Sequence, residues 1–202
     1  MLSEPIPEPP LTTTNTTKIP SVSDEALAAR LIAGDQRAFE TIVLRWRDRI
    51  VDFAYLLTND RHAAEDVGQE VFVRFLRRPD AFDPSRSFGA WIRTVARNLC
   101  RDRWRRESAR SRHQENAARE FHFGPQPVSP PSAAAQESEG QHELREAIAE
   151  LPARFREVFV LCSVRGLSYG EAAAICGCPA KTVSTRLARA RQRLVTRMEK
   201  WL

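Results

Sequence analysis

Arginine is the residue whose spacing suggests chemistry in this 202-residue chain. Six arginines fall between Arg101 and Arg112 (positions 101, 103, 105, 106, 110 and 112) against only Asp102 and Glu107, a local net charge of +4. Between Lys181 and Lys200, seven basic residues face Glu199 alone, a net charge of +6. The whole chain carries +5, so the rest of it is net negative, about −5. Two basic stripes on an otherwise acidic protein fit two separate contacts with a polyanion. Two solvated helix faces would show the same charge without a ligand. Catalytic and metal chemistry lack a matching constellation. His62, His113, His122 and His142 are scattered and form no triad pattern. Cys176-x-Cys178, with Cys162 and His142, departs from the C-x₂-C spacing of zinc sites and is followed by no second ligand pair, so small buried thiols are the stronger reading. Carboxylates pair only as helix-surface charge, and there is no glycine-rich phosphate loop. The expectation is a binding protein without catalytic residues, metal or cofactor.

The elements that must carry these cations read as helices throughout, giving an all-α fold class. Leu27 and Leu31 mark a short helix after Ser23. Phe39, Ile42, Val43, Trp46, Ile50, Phe53, Ala54 and Leu57 recur at steps of three and four, one face of a longer helix after Asp35. Asp60 caps a third, with Ala64, Val67, Val71 and Phe75 on its stripe. A fourth opens near Ser87 and runs through Phe88, Trp91, Ile92, Val95 and Leu99 to Trp104. Residues 1–22 hold five prolines and no apolar period, the composition of a disordered tail. Residues 108–140, interrupted by Gly124, Pro125, Pro127, Pro130 and Pro131, read as a flexible linker, with Phe121 and Phe123 as docking candidates. The organisation expected is therefore a tail (1–22), a four-helix domain (23–107), a linker (108–140) and a second helical domain (141–202). No secretory leader and no span of roughly 20 apolar residues is visible, which implies a cytoplasmic protein without membrane insertion.

The second domain contains a sharper pattern. Leu144, Ile148 and Leu151 make a short helix stopped before Pro152, and a second runs from Ala153 to about Val164, ended by Gly166. Ser168-Tyr169-Gly170-Glu171 is a capping box for a third helix. Gly177-Cys178-Pro179 then makes a tight turn into a basic helix. Helix, glycine turn, basic helix is the helix-turn-helix order. Small Ala172 and Ala173 permit close approach, Val183 plugs the second helix into the first, and Lys181, Ser184, Thr185, Ala188 and Arg189 face outward, where a major groove would lie.

Two sets of motifs together resemble a known family. Ala64-Glu65-Asp66-Val67-Gly68-Gln69-Glu70-Val71-Phe72 resembles the D-x-x-Q-E helix of sigma factor region 2. Phe82-Asp83-Pro84, Phe88 to Asn98 and Asp102 resemble its promoter-melting part. Leu151-Pro152, Gly166-Leu167-Ser168-Tyr169 with Glu171, and Thr182-Val183 to Arg191 resemble region 4. With no room for regions 1 and 3, the chain is similar to the two-domain extracytoplasmic-function (ECF) group of the sigma-70 family, over roughly residues 24–107 and 141–197. Gly68 departs from the pattern, standing where an apolar residue is usual. That change costs a helix about 1 kcal/mol relative to alanine, unless it permits close packing.

The resemblance implies a bacterial transcription initiation factor that carries core RNA polymerase to promoters. Asp66, Gln69 and Glu70 would dock on the clamp coiled coil of the largest subunit, and the second domain on the flap. Phe82, Arg86, Ser87, Trp91, Arg93, Arg97, Asn98 and Arg101 would meet the opened non-template strand of the −10 element. For Trp91, as for Phe88, a place on the apolar stripe favours the core. Lys181, Thr182, Ser184, Thr185, Arg186, Ala188 and Arg189 would read the −35 element as duplex. An anti-sigma factor is a further partner implied. The alternative is a freestanding helix-turn-helix regulator, which leaves the first four helices without a role.

Overall fold

A computed structural model describes residues 22–118 and 139–198. All but Val22 of the expected tail, together with Phe121 and Phe123, lies outside the described residues. Those described form eight α-helices and no strand. The first bundle comprises α1 (Asp24–Ile32), α2 (Gln36–Thr58), α3 (Arg61–Arg77) and α4 (Phe88–Ala118), with one 3₁₀ turn at Pro79–Ala81. The second comprises α5 (Glu139–Glu150), α6 (Ala153–Phe159), α7 (Tyr169–Cys176) and α8 (Ala180–Met198), with a π turn at Val160–Val164 that prolongs α6.

Local chemistry starts each of the first three helices. Ser23, Asp35 and Asp60 accept the backbone N–H groups of Ala26, Arg37 and Ala63 at 3.0–3.1 Å. Each such cap is worth about 1 kcal/mol. Helix α1 then ties the bundle together. Asp24 receives Arg45 at 2.9 Å and the Trp46 indole N–H at 2.8 Å, and Glu25 accepts the Phe88 N–H at 2.9 Å, covering an orphan donor at the start of α4. The apolar stripe read from α2 is buried at Ile42, Trp46, Ile50, Phe53, Ala54 and Leu57. It meets a cluster of rings in which Phe82 stands edge-on to Phe88 with centroids 5.2 Å apart, and Phe75 lies 5.2 Å from Trp91. Fully burying each such side chain contributes roughly 1.5–3 kcal/mol.

Helix α4 continues to Ala118, well past the expected end at Trp104 and into the stretch expected to be linker. From Arg105 to Ala118 the chain is rich in Arg, Ala, Gln and Glu and holds neither glycine nor proline, so helix propensity carries it on. In the second bundle, Val183, Leu187, Ala190 and Leu194 of α8 pack on Phe155, Val158, Leu161, Ala172 and Ile175. The capping box is complete: Ser168 accepts the Glu171 N–H at 3.3 Å, and Glu171 accepts the Ser168 N–H at 2.8 Å. Gly177 turns the chain with φ of +63°, a backbone region that side chains disfavour.

Candidate nucleic-acid interface

Helix α8 has one apolar and one open side. Val183 and Leu187 are buried, and Lys181, Ser184, Thr185, Ala188 and Arg189 are all exposed on the other side. Thr182 and Arg186 sit at the flanks, half-buried, with an Arg186 nitrogen 3.9 Å from the Cys178 sulfur. The Thr185 hydroxyl donates to the Lys181 carbonyl at 3.0 Å, which fixes its rotamer but leaves its lone pairs outward. A buried valine plug and an open basic row separate along one helix, the geometry that places side chains at base edges in a groove.

The residues expected to meet an opened strand divide into three groups. Arg86, Ser87 and Asn98 are exposed. Arg86 is held beside Asp83 at 3.4 Å, and the Ser87 hydroxyl accepts the Ala90 N–H at 3.3 Å, so the loop before α4 is ordered by its own polar groups. The Asp83 carboxyl lies below its usual value, first because the Ser85 hydroxyl donates to it. Arg93 is half-buried, stacked 4.9 Å over the Trp46 ring, and Arg49 lies 5.5 Å from the same ring. Burial first, then the charges of Arg165 and Arg49, lower the pKa of Arg93. An anion arriving there would relieve that crowding of cations.

Two of the expected strand contacts are covered in this arrangement. Phe82 is 2% exposed in the ring cluster, so it packs the core and offers no face to a base. Trp91 leans against Phe75, Phe82 and Phe88, and its partial exposure makes it a wall of that cluster before anything else. Arg97, expected on the DNA face, is 4% exposed and faces the second bundle. Its Nε donates to Glu157 at 2.8 Å, and Arg101 approaches the same carboxylate at 3.5 Å. The physical reason is the packing of α7 over α4, with Glu157 of α6 reaching the same flank, which covers one side of the basic helix.

On α3, Asp66, Gln69 and Glu70 share the outer face, with Asp66 exposed and reached by Arg103 at 3.2 Å, and Glu70 paired with Arg74 at 2.7 Å. The opposite face carries Gly68, where an added Cβ would stand 2.8 Å from a Val51 methyl. The glycine marks close approach of α2 and α3. Val73 and Leu76 extend the outer face as exposed apolar side chains, a feature the apolar stripe alone did not single out.

Sequence reasoning also passed over Glu157, although a charge beside Phe155 and Val158 at a core-facing step was a signal. The cysteines behave as packing residues: burial pushes the Cys100 and Cys176 thiols up to about 12.

Comparison with known proteins agrees with this division. The family model described as Sigma-70 region 2 matches residues 42–110, and that described as Sigma-70, region 4 matches residues 141–194. The chain is 34% identical over 164 residues to the ECF RNA polymerase sigma factor SigE of Mycolicibacterium smegmatis, covering 80% of this chain but 63% of that protein. It is 33% identical over 167 residues to the ECF RNA polymerase sigma factor SigW of Bacillus subtilis, covering 80% of this chain and 89% of that protein. A solved structure of the sigma factor RpoE in complex with the anti-sigma factor NepR, from Bartonella quintana, aligns with a TM-score of 0.66 at 27% identity, covering 80% of this chain and 96% of that one.

Proposed function

The chain belongs to the ECF group of the sigma-70 family, and from that premise we propose that it directs core RNA polymerase to promoters, reading them with two separate basic surfaces. The observation that carries the reading is the outward row of α8, open over its whole length behind a capped glycine turn. Lys181 and Arg189 there meet no ion-pair partner among the described residues, and the Ser184 and Thr185 hydroxyls flank them. Arginine and hydroxyl groups on a helix of this width read base edges and phosphates of a closed duplex, the −35 element.

Helix α4 and the loop before it serve the −10 element. Arg86, Arg93, Asn98 and Arg101 hold phosphates of the opened non-template strand, Ser87 lines its path, and Arg97 joins them when the second bundle moves away. The loop at Asp80–Ser87 shapes the pocket for a flipped base. Asp66, Gln69 and Glu70 dock on the clamp coiled coil, and the Gly68 contact sets the angle of α3 from behind. The polymerase makes the RNA; the factor supplies position and strand capture and is not itself an enzyme. It works with polymerase in the bacterial cytoplasm. An anti-sigma factor restrains it, in keeping with the complex of the similar RpoE.

Transcription in vitro with purified core polymerase on genomic DNA tests this. Defined start sites that depend on the added chain are expected, and the absence of any such site overturns the proposal. A freestanding regulator would instead grip duplex DNA without polymerase.

A further inference from the structure

Each bundle sends one arginine into the carbonyl end of a helix in the other. Arg97 of α4 donates to the Ile175 carbonyl at 3.2 Å, in the last turn of α7. In return Arg156 of α6 donates to the Leu57 carbonyl at the end of α2, and its guanidinium lies 5.5 Å from the Trp104 ring. The last carbonyls of a helix lack partners within it and gather partial negative charge, so a cation there is doubly favoured. Around this exchange, Arg145 of α5 donates to the Tyr55 hydroxyl at 2.7 Å and lies over its ring. At the centre Glu157, 2% exposed, holds Arg97 at 2.8 Å and Arg101 at 3.5 Å. A charge buried that deeply survives only where geometry and extra hydrogen bonds are good. The junction is thus a built contact.

We infer that the Glu157 carboxylate stands in for a strand phosphate, holding Arg97 and Arg101 in a closed form of the chain that cannot bind an opened promoter strand. The inference rests on the assignment of those two arginines to that strand. A carboxylate and a phosphate offer a guanidinium the same pair of acceptor oxygens, so one excludes the other. The exclusion is one-sided. The reading row of α8 and the outer face of α3 both stay open in the closed form. Duplex recognition and polymerase docking therefore come first, and capture of the single strand waits for the bundles to part. Binding competence of the free chain for single-stranded DNA is reduced by its open fraction.

The test uses the full chain with Glu157→Gln, which keeps the shape and removes the charge. Losing one partner of a buried pair shifts the closed-to-open balance by roughly a hundredfold. The radius of gyration from small-angle scattering should rise, and affinity for a labelled single-stranded oligonucleotide of the mapped downstream promoter strand should increase by about tenfold or more. Arg145→Ala, at the edge of the junction and away from the core of α6, should act in the same direction if Glu157→Gln impairs folding. The exchange Arg97→Glu with Glu157→Arg should restore the compact form without restoring oligonucleotide binding. Unchanged dimensions and unchanged oligonucleotide affinity in both Glu157→Gln and Arg145→Ala overturn the inference. Expansion without a gain in affinity overturns it too; if, in addition, Arg97→Ala opens promoters normally with polymerase, the strand assignment itself is the part that failed.

Discussion

Gly68→Ala separates two opposite effects that the sequence alone left open. As a helix position, glycine to alanine in α3 gains about 1 kcal/mol. As a packing position, the new methyl would stand 2.8 Å from a Val51 methyl, far inside contact distance. Val51 cannot swing aside cheaply, because a β-branched side chain in a helix has one strongly preferred rotamer and this one is nearly buried. Overpacking of this kind costs about 1–3 kcal/mol, so the net expectation is a loss of about 1 kcal/mol. Urea titration followed by circular dichroism measures it as a lower midpoint at unchanged slope. Val51→Ala alone should destabilise by vacating the same contact, and the double variant should lose less than the two single losses combined. The favourable coupling should be about 1–2 kcal/mol. Gly68→Ala that stabilises by about 1 kcal/mol, with no coupling to Val51, would refute the argument and leave Gly68 a merely weak helix position.

Other outcomes follow from the same geometry. Arg189→Ala should weaken upstream duplex binding by the holoenzyme by about 1–3 kcal/mol, measured by filter binding, if that guanidinium reads a base. With about four phosphate contacts in the α8 region, log affinity should fall with log salt at a slope of about −3.6, and a salt-independent affinity contradicts the interface. Glu171, Asp35 and Glu150 all titrate below their usual values, through side-chain hydrogen bonds from Ser168, Arg30 and Arg197 respectively. A depressed carboxylate adds stability that is complete above its unfolded value, 4.5 for the glutamates and 3.8 for the aspartate, and is lost as pH falls through the folded value. Melting temperature should therefore drop between pH 5 and roughly pH 3, less steeply in Glu171→Gln; equal melting at both ends contradicts it. Cys100 and Cys176 should resist iodoacetamide at about pH 8 until the chain is unfolded, because only about one thiol in ten thousand is ionised when its pKa is near 12. Rapid alkylation of either, followed by mass spectrometry, would refute their burial.

Elements governed by local chemistry were the legible part. The caps at Ser23, Asp35, Asp60 and Ser168 and the turn at Gly177 each follow from two to four adjacent residues, and the structure has them. The outward row of α8 was equally readable, since a buried Val183 and Leu187 fix which side remains. The helical reach of α4 past Trp104 was missed because serines and the distant prolines suggested a linker, although the intervening residues favour a helix. Phe82 was misjudged for a different reason. Its loop position suggested exposure, yet two rings of α4, Phe88 and Trp91, close over it, and which rings converge is a tertiary fact. Arg97 could not be placed at all without knowing what packs on α4. Periodicity assigns a side chain to a face of its own helix, and the neighbour that covers that face lies 60 residues further on, at Glu157.

That last case bears on why the junction between the bundles holds a buried ion pair beside its apolar contacts. A wholly apolar seam would close the chain more firmly and expose a stickier surface each time it opened. A buried ion pair stabilises little relative to apolar side chains of similar volume, because desolvation offsets most of the attraction. Its geometry is demanding, however, so it selects one closed arrangement over others. Once parted, Arg97 and Arg101 are soluble in water and already suited to a phosphate. The same two guanidinium groups can therefore hold the closed form and serve the open one, and replacing Glu157 by leucine should separate those roles. With no carboxylate to satisfy Arg97, the compact form becomes costly for the arginine that remains. Glu157→Leu should accordingly expand the chain as Glu157→Gln does, whereas Arg97→Met with Glu157→Leu should close it again, with single-strand affinity lost in the pair. Scattering on the two variants decides the matter: a compact Glu157→Leu chain would show that apolar packing, and not the ion pair, sets the junction.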